Sequence, residues 1–264
     1  MRRDGDGGWR TPARTDRAVS ETISFVLVFS LIVASVGAVY AIGVSELEAT
    51  RDAERIENAQ RAFDVLADNV DDVLEGAPSR GTEVKLAEAT LRSADDASMN
   101  VTVDPAGGGT PRNWEFSLSP LVYNIEAGGE IRLSNGAVLR DSAGGGAAMI
   151  RGPPVVVDDD HIQLTLIRQE HSGPVAVGGS QTVRIRTAAS RSRLFYDDAG
   201  GHDLVRVNVT TPYPDAWGRH YESVGFDCSV VDAATPGSSG TVSCNATDVD
   251  RVTIVWSRVR TSFE

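Results

Sequence analysis

The stretch ISFVLVFSLIVASVGAVYAIGV, residues Ile23–Val44, decides the fold of this chain. It contains no charged side chain over its whole length. A helix needs about 20 apolar residues to cross the hydrocarbon core of a bilayer. A buried core helix is the alternative interpretation, but apolar runs of this length are typical of membrane spans. The sequence therefore predicts one transmembrane helix over residues 19–44, with membrane lipid around it.

The charges on the two sides of this run differ. The residues before it include five arginines: Arg2, Arg3, Arg10, Arg14 and Arg17. The residues after it are rich in acids: Glu46, Glu48, Asp52 and Glu54. Basic residues collect on the cytoplasmic side of a membrane helix. We therefore expect a single-pass protein of the cell membrane, with a cytoplasmic N-terminus and an extracellular C-terminal domain.

A cleaved secretory signal is the competing interpretation of the N-terminus. Such a signal has an apolar region of about 7–15 residues that ends at a small-residue cleavage site. The run here is longer, although Ala34-Ser35-Val36 or Ala38-Val39-Tyr40 could serve as that site. Cleavage there would release a soluble domain, whereas a retained helix anchors the chain.

The junction before the apolar run carries a family resemblance. Arg17-Ala18-Val19-Ser20-Glu21 places a basic residue and a small residue directly before the run. This junction, with the helix that follows to about Leu74, resembles the class III signal peptide of archaeal type IV pilins and haloarchaeal pilin-like surface proteins. The resemblance implies that a prepilin-peptidase-like enzyme cuts between Ala18 and Val19. Residues 1–18 would then be a cytoplasmic leader, and the mature chain would self-associate or pack with other pilin-like subunits.

A helical pattern continues beyond the apolar run. Apolar side chains recur at steps of three and four: Ile56, Ala59, Phe63, Leu66, Val70 and Val73. This spacing is typical of a helix that buries a narrow stripe. Gly76 and Pro78 predict its end. The sequence therefore predicts an amphipathic extension of the helix over residues 45–76, whose stripe packs either on the chain's own head or on another subunit.

After Ser79 the apolar period changes from 3.6 to 2. Alternation such as Met99, Val101 and Val103 predicts half-buried antiparallel strands, and Asn135-Gly136 predicts a tight turn. One short helix is expected from Pro214 to Val224. The predicted fold class is α+β: a long N-terminal transmembrane and extended helix, then a mainly antiparallel, sandwich-like β ectodomain over residues 79–264.

Cysteines and sequons agree with an extracellular location. Cys228 and Cys244 are the only cysteines. A disulfide between them would stabilise the fold by about 3 kcal/mol in the chain-entropy model; a reduced buried pair is the alternative. Glycosylation sequons begin at three asparagines: Asn100, Asn208 and Asn245. Asn100 and Asn208 fall on the polar faces of their predicted strands, where a sugar would point to solvent.

The charge balance excludes one class of partner. The formal net charge is -12, and nucleic-acid affinity comes from neutralising phosphates, so no nucleic-acid partner is expected. Lys85 is the only lysine. An acidic chain that uses arginine almost alone indicates a high-salt proteome, with codon bias toward arginine as the alternative.

The sequence lacks four common motifs for catalysis and for cofactor or metal binding. It holds no phosphate-binding G-x-x-x-x-G-K loop, no H-E-x-x-H, no C-x-x-C and no G-x-S-x-G. We therefore expect no cofactor, no resident metal and no enzymatic activity. Asp158-Asp159-Asp160-His161 is the one acidic cluster; it is interpreted as a solvated turn, with a hard cation such as calcium as the alternative.

These observations predict a membrane-anchored, extracellular pilin-like protein with a structural or adhesive role. The first alternative is an anchored surface glycoprotein that never assembles. The second is an anchored secreted hydrolase, which would need a cleft where titratable groups converge.

Overall fold

A computed structural model describes residues 15–125, 129–142, 146–158, 160–235 and 237–264. The chain divides into two compact units, Met1–Ala53 and Glu54–Glu264. Most of the leader predicted at residues 1–18 lies outside the described residues. The described chain is α+β, as predicted, with a long N-terminal helix followed by many strands.

The elements are numbered in chain order. The helices are α1 (Thr15–Leu74) and α2 (Pro214–Ser223). The strands are β1 (Ser79–Lys85), β2 (Ala89–Ser93), β3 (Ser98–Pro105), β4 (Arg112–Ser117), β5 (Leu121–Ile125), β6 (Gly129–Ser134), β7 (Ala137–Ser142), β8 (Gly146–Arg151), β9 (Val155–Asp158), β10 (His161–His171), β11 (Ala176–Gly179), β12 (Thr182–Asp198), β13 (His202–Thr211), β14 (Asp227–Asp232), β15 (Gly240–Val249) and β16 (Arg251–Phe263).

The first unit holds the apolar run. Its segment Ile23–Val44 is helical and has a mean hydropathy of 2.5, and none of its residues is buried inside the protein. Phe25 and Leu31 are both 71% exposed. Exposed side chains of this kind are costly in water, whereas they match the hydrocarbon of a bilayer. The segment is therefore long and apolar enough to span a membrane.

Helix α1 ends where the sequence predicts. The backbone N–H of Gly76 donates to the carbonyl of Val73, and the N–H of Ala77 donates to the carbonyl of Asp72. Gly76 has a φ of 119°, a conformation that glycine adopts without a Cβ penalty. This pair of hydrogen bonds is a Schellman motif, and it satisfies carbonyls that the helix end would otherwise leave unpaired.

The apolar stripe of α1 is buried within the second unit. Its six apolar residues from Ile56 to Val73 are at most 9% exposed, and Phe63, Leu66 and Val70 are fully buried. They form one core with side chains of β1, β2, β5, β6, β7, β12 and β16. Of the two partners left open by the sequence, the stripe therefore packs on the chain's own head.

Three sheets build the strand-rich unit. The first has the order β1-β12-β16-β10-β9, the second β11-β2-β5-β6-β7-β8, and the third β14-β15-β13-β3-β4. Strands β10 and β16 pair in parallel, and the other pairings in the described part of the chain are antiparallel. The hairpin of β6 and β7 turns at Asn135 (φ 51°) and Gly136 (φ 76°), both positive as a type I′ turn requires.

A second core lies between the first and third sheets. It contains inward-facing side chains of β3, β10, β13, β15 and β16, together with the short helix α2. Trp217 and Tyr221, one turn apart on α2, are 0% and 1% exposed. The predicted short helix is therefore confirmed, and its apolar face is part of this core.

The two cysteines form the expected disulfide. Cys228 on β14 and Cys244 on β15 are bonded to each other and lie directly opposite in the register of the two strands. Because β14 is the edge strand of the third sheet, the bond ties that edge to its neighbour.

Candidate functional site: a charged groove around Arg132

A groove opens where the second sheet meets loops of the third. Its cavity measures about 580 Å³, within the usual range for small-molecule sites. Arg92, Glu130, Arg132 and Asp141 line it from β2, β6 and β7, and Tyr213 lines it from the segment before α2. An adjoining cavity of about 330 Å³ shares Asp141 and Tyr213 and reaches the first residues of α2.

Arg132 is the fixed centre of the groove. Its side chain is 2% exposed. Two of its nitrogens donate to the two carboxylate oxygens of Asp96, at 2.5 and 3.0 Å. Its Nε donates to Glu130 Oε1 at 3.0 Å. Bidentate hydrogen bonding to Asp96 together with the bond to Glu130 fixes the orientation of the planar guanidinium. The same bonds hold the two carboxylates in place.

Tyr213 closes one side of this cluster. Its hydroxyl donates to Glu130 Oε1 at 3.1 Å, and the Arg132 guanidinium carbon lies 5.6 Å from the centre of its ring. Burial, and then the charge of Glu130, raise the pKa of Tyr213. The phenol is therefore neutral and remains a hydrogen-bond donor.

The charge state of Asp96 is also fixed by its surroundings. Burial alone would raise the pKa of Asp96, but the hydrogen bonds and charge of Arg132 outweigh burial and hold that pKa below its ordinary value. A general acid needs the opposite shift, toward the working pH. Asp96 therefore serves as a permanent anion that orients Arg132.

Two charged residues at the groove are left for a ligand. Arg92 lies on β2, and Asp141 lies on β7 directly opposite Glu130. Neither side chain forms a hydrogen bond or an ion pair with the described residues. Like charges placed opposite each other destabilise a sheet. A ligand with several hydrogen-bond donors would reduce the repulsion between the carboxylates of Glu130 and Asp141.

The loop between β14 and β15 supplies hydroxyl groups. Thr235, Ser238 and Ser239 line the groove. Ser239 donates its hydroxyl to the backbone carbonyl of Asp96 at 2.7 Å, and the hydroxyls of Thr235 and Ser238 are 2.6 Å apart. These contacts hold the loop at the groove next to the Arg132 cluster.

Sequence reasoning missed this groove. Glu130 and Arg132 alternate with the apolar Ile131 and Leu133 along β6, a pattern that predicts a solvent-facing polar edge. Asp96 is 36 residues from Arg132, so no local spacing connects the two. The one usable signal was an arginine flanked on both sides by apolar residues, Ile131 and Leu133.

Processing at the predicted leader junction stays a prediction. Arg17, Ala18 and Val19 fall within the helical span of α1, but their side chains lie outside the described part of the chain. The prediction that the chain is cut between Ala18 and Val19 therefore rests on the sequence.

The three sequon asparagines all lie in the third sheet. Asn100 on β3 and Asn208 on β13 stand directly opposite each other, on the face turned away from the core. The Oδ1 of Asn208 is buried and has no hydrogen-bond partner among the described residues. Asn100 donates to Asn113 Oδ1 at 2.8 Å, and Asn245 accepts from Arg206 Nε at 2.8 Å.

We expect a natively glycosylated chain to carry at most one glycan on the Asn100–Asn208 pair. Directly opposite residues have Cβ atoms only about 4.5–5.5 Å apart, which leaves no room for two sugar cores. Glycopeptide mass spectrometry on a protease fragment spanning both sites reads the occupancy. Asn245 is the internal reference, and Asn100→Gln should leave its occupancy unchanged. Both sites occupied on the same molecules would contradict the prediction.

The acidic cluster Asp158–His161 lies where β9 and β10 meet. Asp159 lies outside the described residues. Asp158 and His161 pair at the hairpin of β9 and β10, and His161 Nε2 contacts Thr253 Oγ1 at 2.9 Å. In the part of the chain that the structure describes, no group of three or more His, Cys, Asp or Glu residues could hold a metal ion.

The fold and the groove together define the class of protein to which the chain belongs. The chain is an α+β protein that combines one apolar helix, long enough to cross a membrane, with a disulfide-bonded, strand-rich unit that holds a charged groove. It belongs to a family of unknown function, DUF7289, whose model matches residues 17–262. That match covers both the apolar helix and the strand-rich unit. No curated protein matches the chain.

Proposed function

We propose that the chain is a membrane-anchored, extracellular pilin-like protein with a structural or adhesive role at the cell surface. The observation that carries this proposal is the segment Ile23–Val44, which is helical, apolar and unburied by protein. The junction Arg17-Ala18-Val19 supports processing by a prepilin-peptidase-like enzyme that leaves the helix on the chain. The arginines before the helix and the acids after it support an extracellular strand-rich unit.

The disulfide supports the same location. Disulfides persist in oxidising surroundings outside the cytoplasm, and Cys228 and Cys244 are joined. The three sequons Asn100, Asn208 and Asn245 also fit an extracellular glycoprotein. The excess of acids over bases fits a chain that stays soluble in high salt.

The packing of α1 favours a second candidate, an anchored surface glycoprotein that does not assemble. The stripe from Ile56 to Val73 is covered by the chain's own sheets, so it offers no face to another subunit. Among the described residues of the helix, the apolar run Ile23–Val44 is the longest apolar stretch left exposed for self-association or for other pilin-like subunits. Small residues such as Ser30, Ala34 and Ala38 along that run let membrane helices approach closely.

The hydrolase alternative is less well supported. The groove does bring carboxylates and arginines together, as a hydrolase would need. However, Asp96 has a lowered pKa because Arg132 pairs with it, and a catalytic acid requires a raised one. Binding without turnover is therefore the role proposed for the groove.

Mechanical shearing of native cells tests the proposal and separates its two forms. Sheared fibres that contain the chain would identify an assembling pilin-like subunit. A chain that stays in the membrane fraction, and leaves it only with detergent, would identify the non-assembling form. Recovery of the full chain from the cytosol would overturn both forms.

A further inference from the structure

We infer that the groove around Arg132 binds a neutral, polyhydroxylated ligand, namely a carbohydrate. The groove lies wholly in the unit Glu54–Glu264, and this inference rests on the binding role proposed for the groove and names the class of its ligand. The ligand would be the same whether or not the chain assembles.

Charged side chains of both signs line the groove. Three carboxylates and two guanidiniums line the cavity: Asp96, Glu130, Asp141, Arg92 and Arg132. Arg132 is already paired with Asp96 and Glu130, which leaves Arg92 and Asp141 as one positive and one negative group. Three negative and two positive charges give this lining a formal charge of -1, which disfavours an anion. Arg92 and Asp141 offer one hydrogen-bond donor group and one acceptor group, and a ligand without charge that both donates and accepts hydrogen bonds matches this pair.

The polar groups of the groove suit a ligand with several hydroxyls. Carboxylates accept hydrogen bonds at two oxygens and guanidiniums donate from several nitrogens, so each can engage two neighbouring hydroxyls. The hydroxyls of Thr235, Ser238 and Ser239 both donate and accept. Few apolar side chains line the cavity, which disfavours an apolar ligand.

Tyr213 places an aromatic ring at the groove. Tyr213 lines both the larger cavity and its smaller neighbour. Its hydroxyl is fixed on Glu130 and its ring is fixed beside Arg132. Arg132 lies over one face of the ring, so the part of the ring that lines the cavities is the apolar surface available to the C–H face of a sugar. The two cavities together extend the site beyond a single sugar unit.

The base of the groove is preorganised for binding. The groups at the base of the groove already satisfy one another, so their orientation does not depend on a ligand. Binding then orders few side chains, which lowers its entropic cost. Arg92 and Asp141 are the groups that a ligand would engage.

The test is sugar binding by the full chain in lipid nanodiscs prepared without sugar-based detergents. The probes are D-glucose, D-galactose, D-mannose and N-acetyl-D-glucosamine with the linear trisaccharide of each, and binding is measured by saturation-transfer NMR titration. We expect at least one probe to bind and its trisaccharide to bind more tightly. Absence of any binding to the unaltered chain would overturn the inference.

The variants Asp141→Ala and Arg92→Ala should each weaken that binding about tenfold or more, because a hydrogen bond to a charged group is lost. Neither side chain forms a hydrogen bond or an ion pair with the described residues, so the fold should survive. The matched control is Asp227→Ala, an exposed acid at the start of β14, which should leave the affinity unchanged. If Asp141→Ala and Arg92→Ala bind the sugar as tightly as the unaltered chain, the inference is overturned. It is also overturned if Asp227→Ala loses as much affinity as they do. Binding of zwitterionic glycine in place of the sugars would do the same.

Discussion

Replacing Arg132 with methionine should lower the free energy of unfolding of the strand-rich unit by about 3 kcal/mol. The substitution leaves Asp96 and Glu130 without the cation that pairs with both. Glu130 has only 12% of its side chain exposed, so water cannot replace the lost partner. Asp96 is 33% exposed and regains some hydration, which places the loss near the lower end of the range for broken buried ion pairs.

The measurement is denaturant unfolding followed by tryptophan fluorescence. Arg61→Met is the control, because Arg61 pairs with Glu57 one helical turn away on an exposed face. Exposed pairs of this spacing contribute about 0.5 kcal/mol or less. Similar losses in the two variants would show that the Arg132 cluster is not the buried network described above.

Replacing Phe63 with alanine should cost about 3–5 kcal/mol. Phe63 is fully buried, and its ring packs edge-on against Tyr123 of β5, with the ring centres 6.3 Å apart. The cavity left behind lies between α1 and the sheets of the same unit, which cannot close it without moving a helix. The stability loss is read from the same unfolding experiment.

The control for Phe63 lies two residues further along the same helix. Val65 is 50% exposed, and Val65→Ala should change stability by no more than about 0.5 kcal/mol. If Phe63→Ala proves equally mild while the chain stays folded, then the stripe of α1 does not pack on its own head in solution. The stripe would then be available to a second subunit.

Local patterns predicted the elements of this protein well. The a/d spacing from Ile56 to Val73 marked the buried face of α1, and Gly76 marked its end. Alternation marked β3, with Met99, Val101 and Val103 all buried. These features depend on residues close in sequence, so periodicity and turn chemistry suffice to find them.

The arrangement of the sheets could not be predicted in this way. Strands β10 and β16 pair in parallel, with His161 opposite Arg251, although they lie far apart in the chain. Alternation shows which face of a strand is buried but not which strand lies beside it. Division into three sheets with two cores depends on such distant pairings.

The groove escaped prediction for a related reason. Alternation along β6 predicts Arg132 on the polar, exposed side, yet its side chain is 2% exposed. What covers this face is Asp96 from one loop, Tyr213 before α2, and the loop that carries Ser238 and Ser239. A polar face buried by distant loops has the same local pattern as one facing water.

The intact mass and N-terminal sequence of the protein from native membranes test the central claim most directly. Our account predicts a mature chain that begins at Val19 and retains the apolar helix, with the mass of residues 19–264 plus any glycans. A chain that begins beyond the apolar run, and is recovered without detergent, would contradict the account, because the helix would then be a discarded signal rather than an anchor.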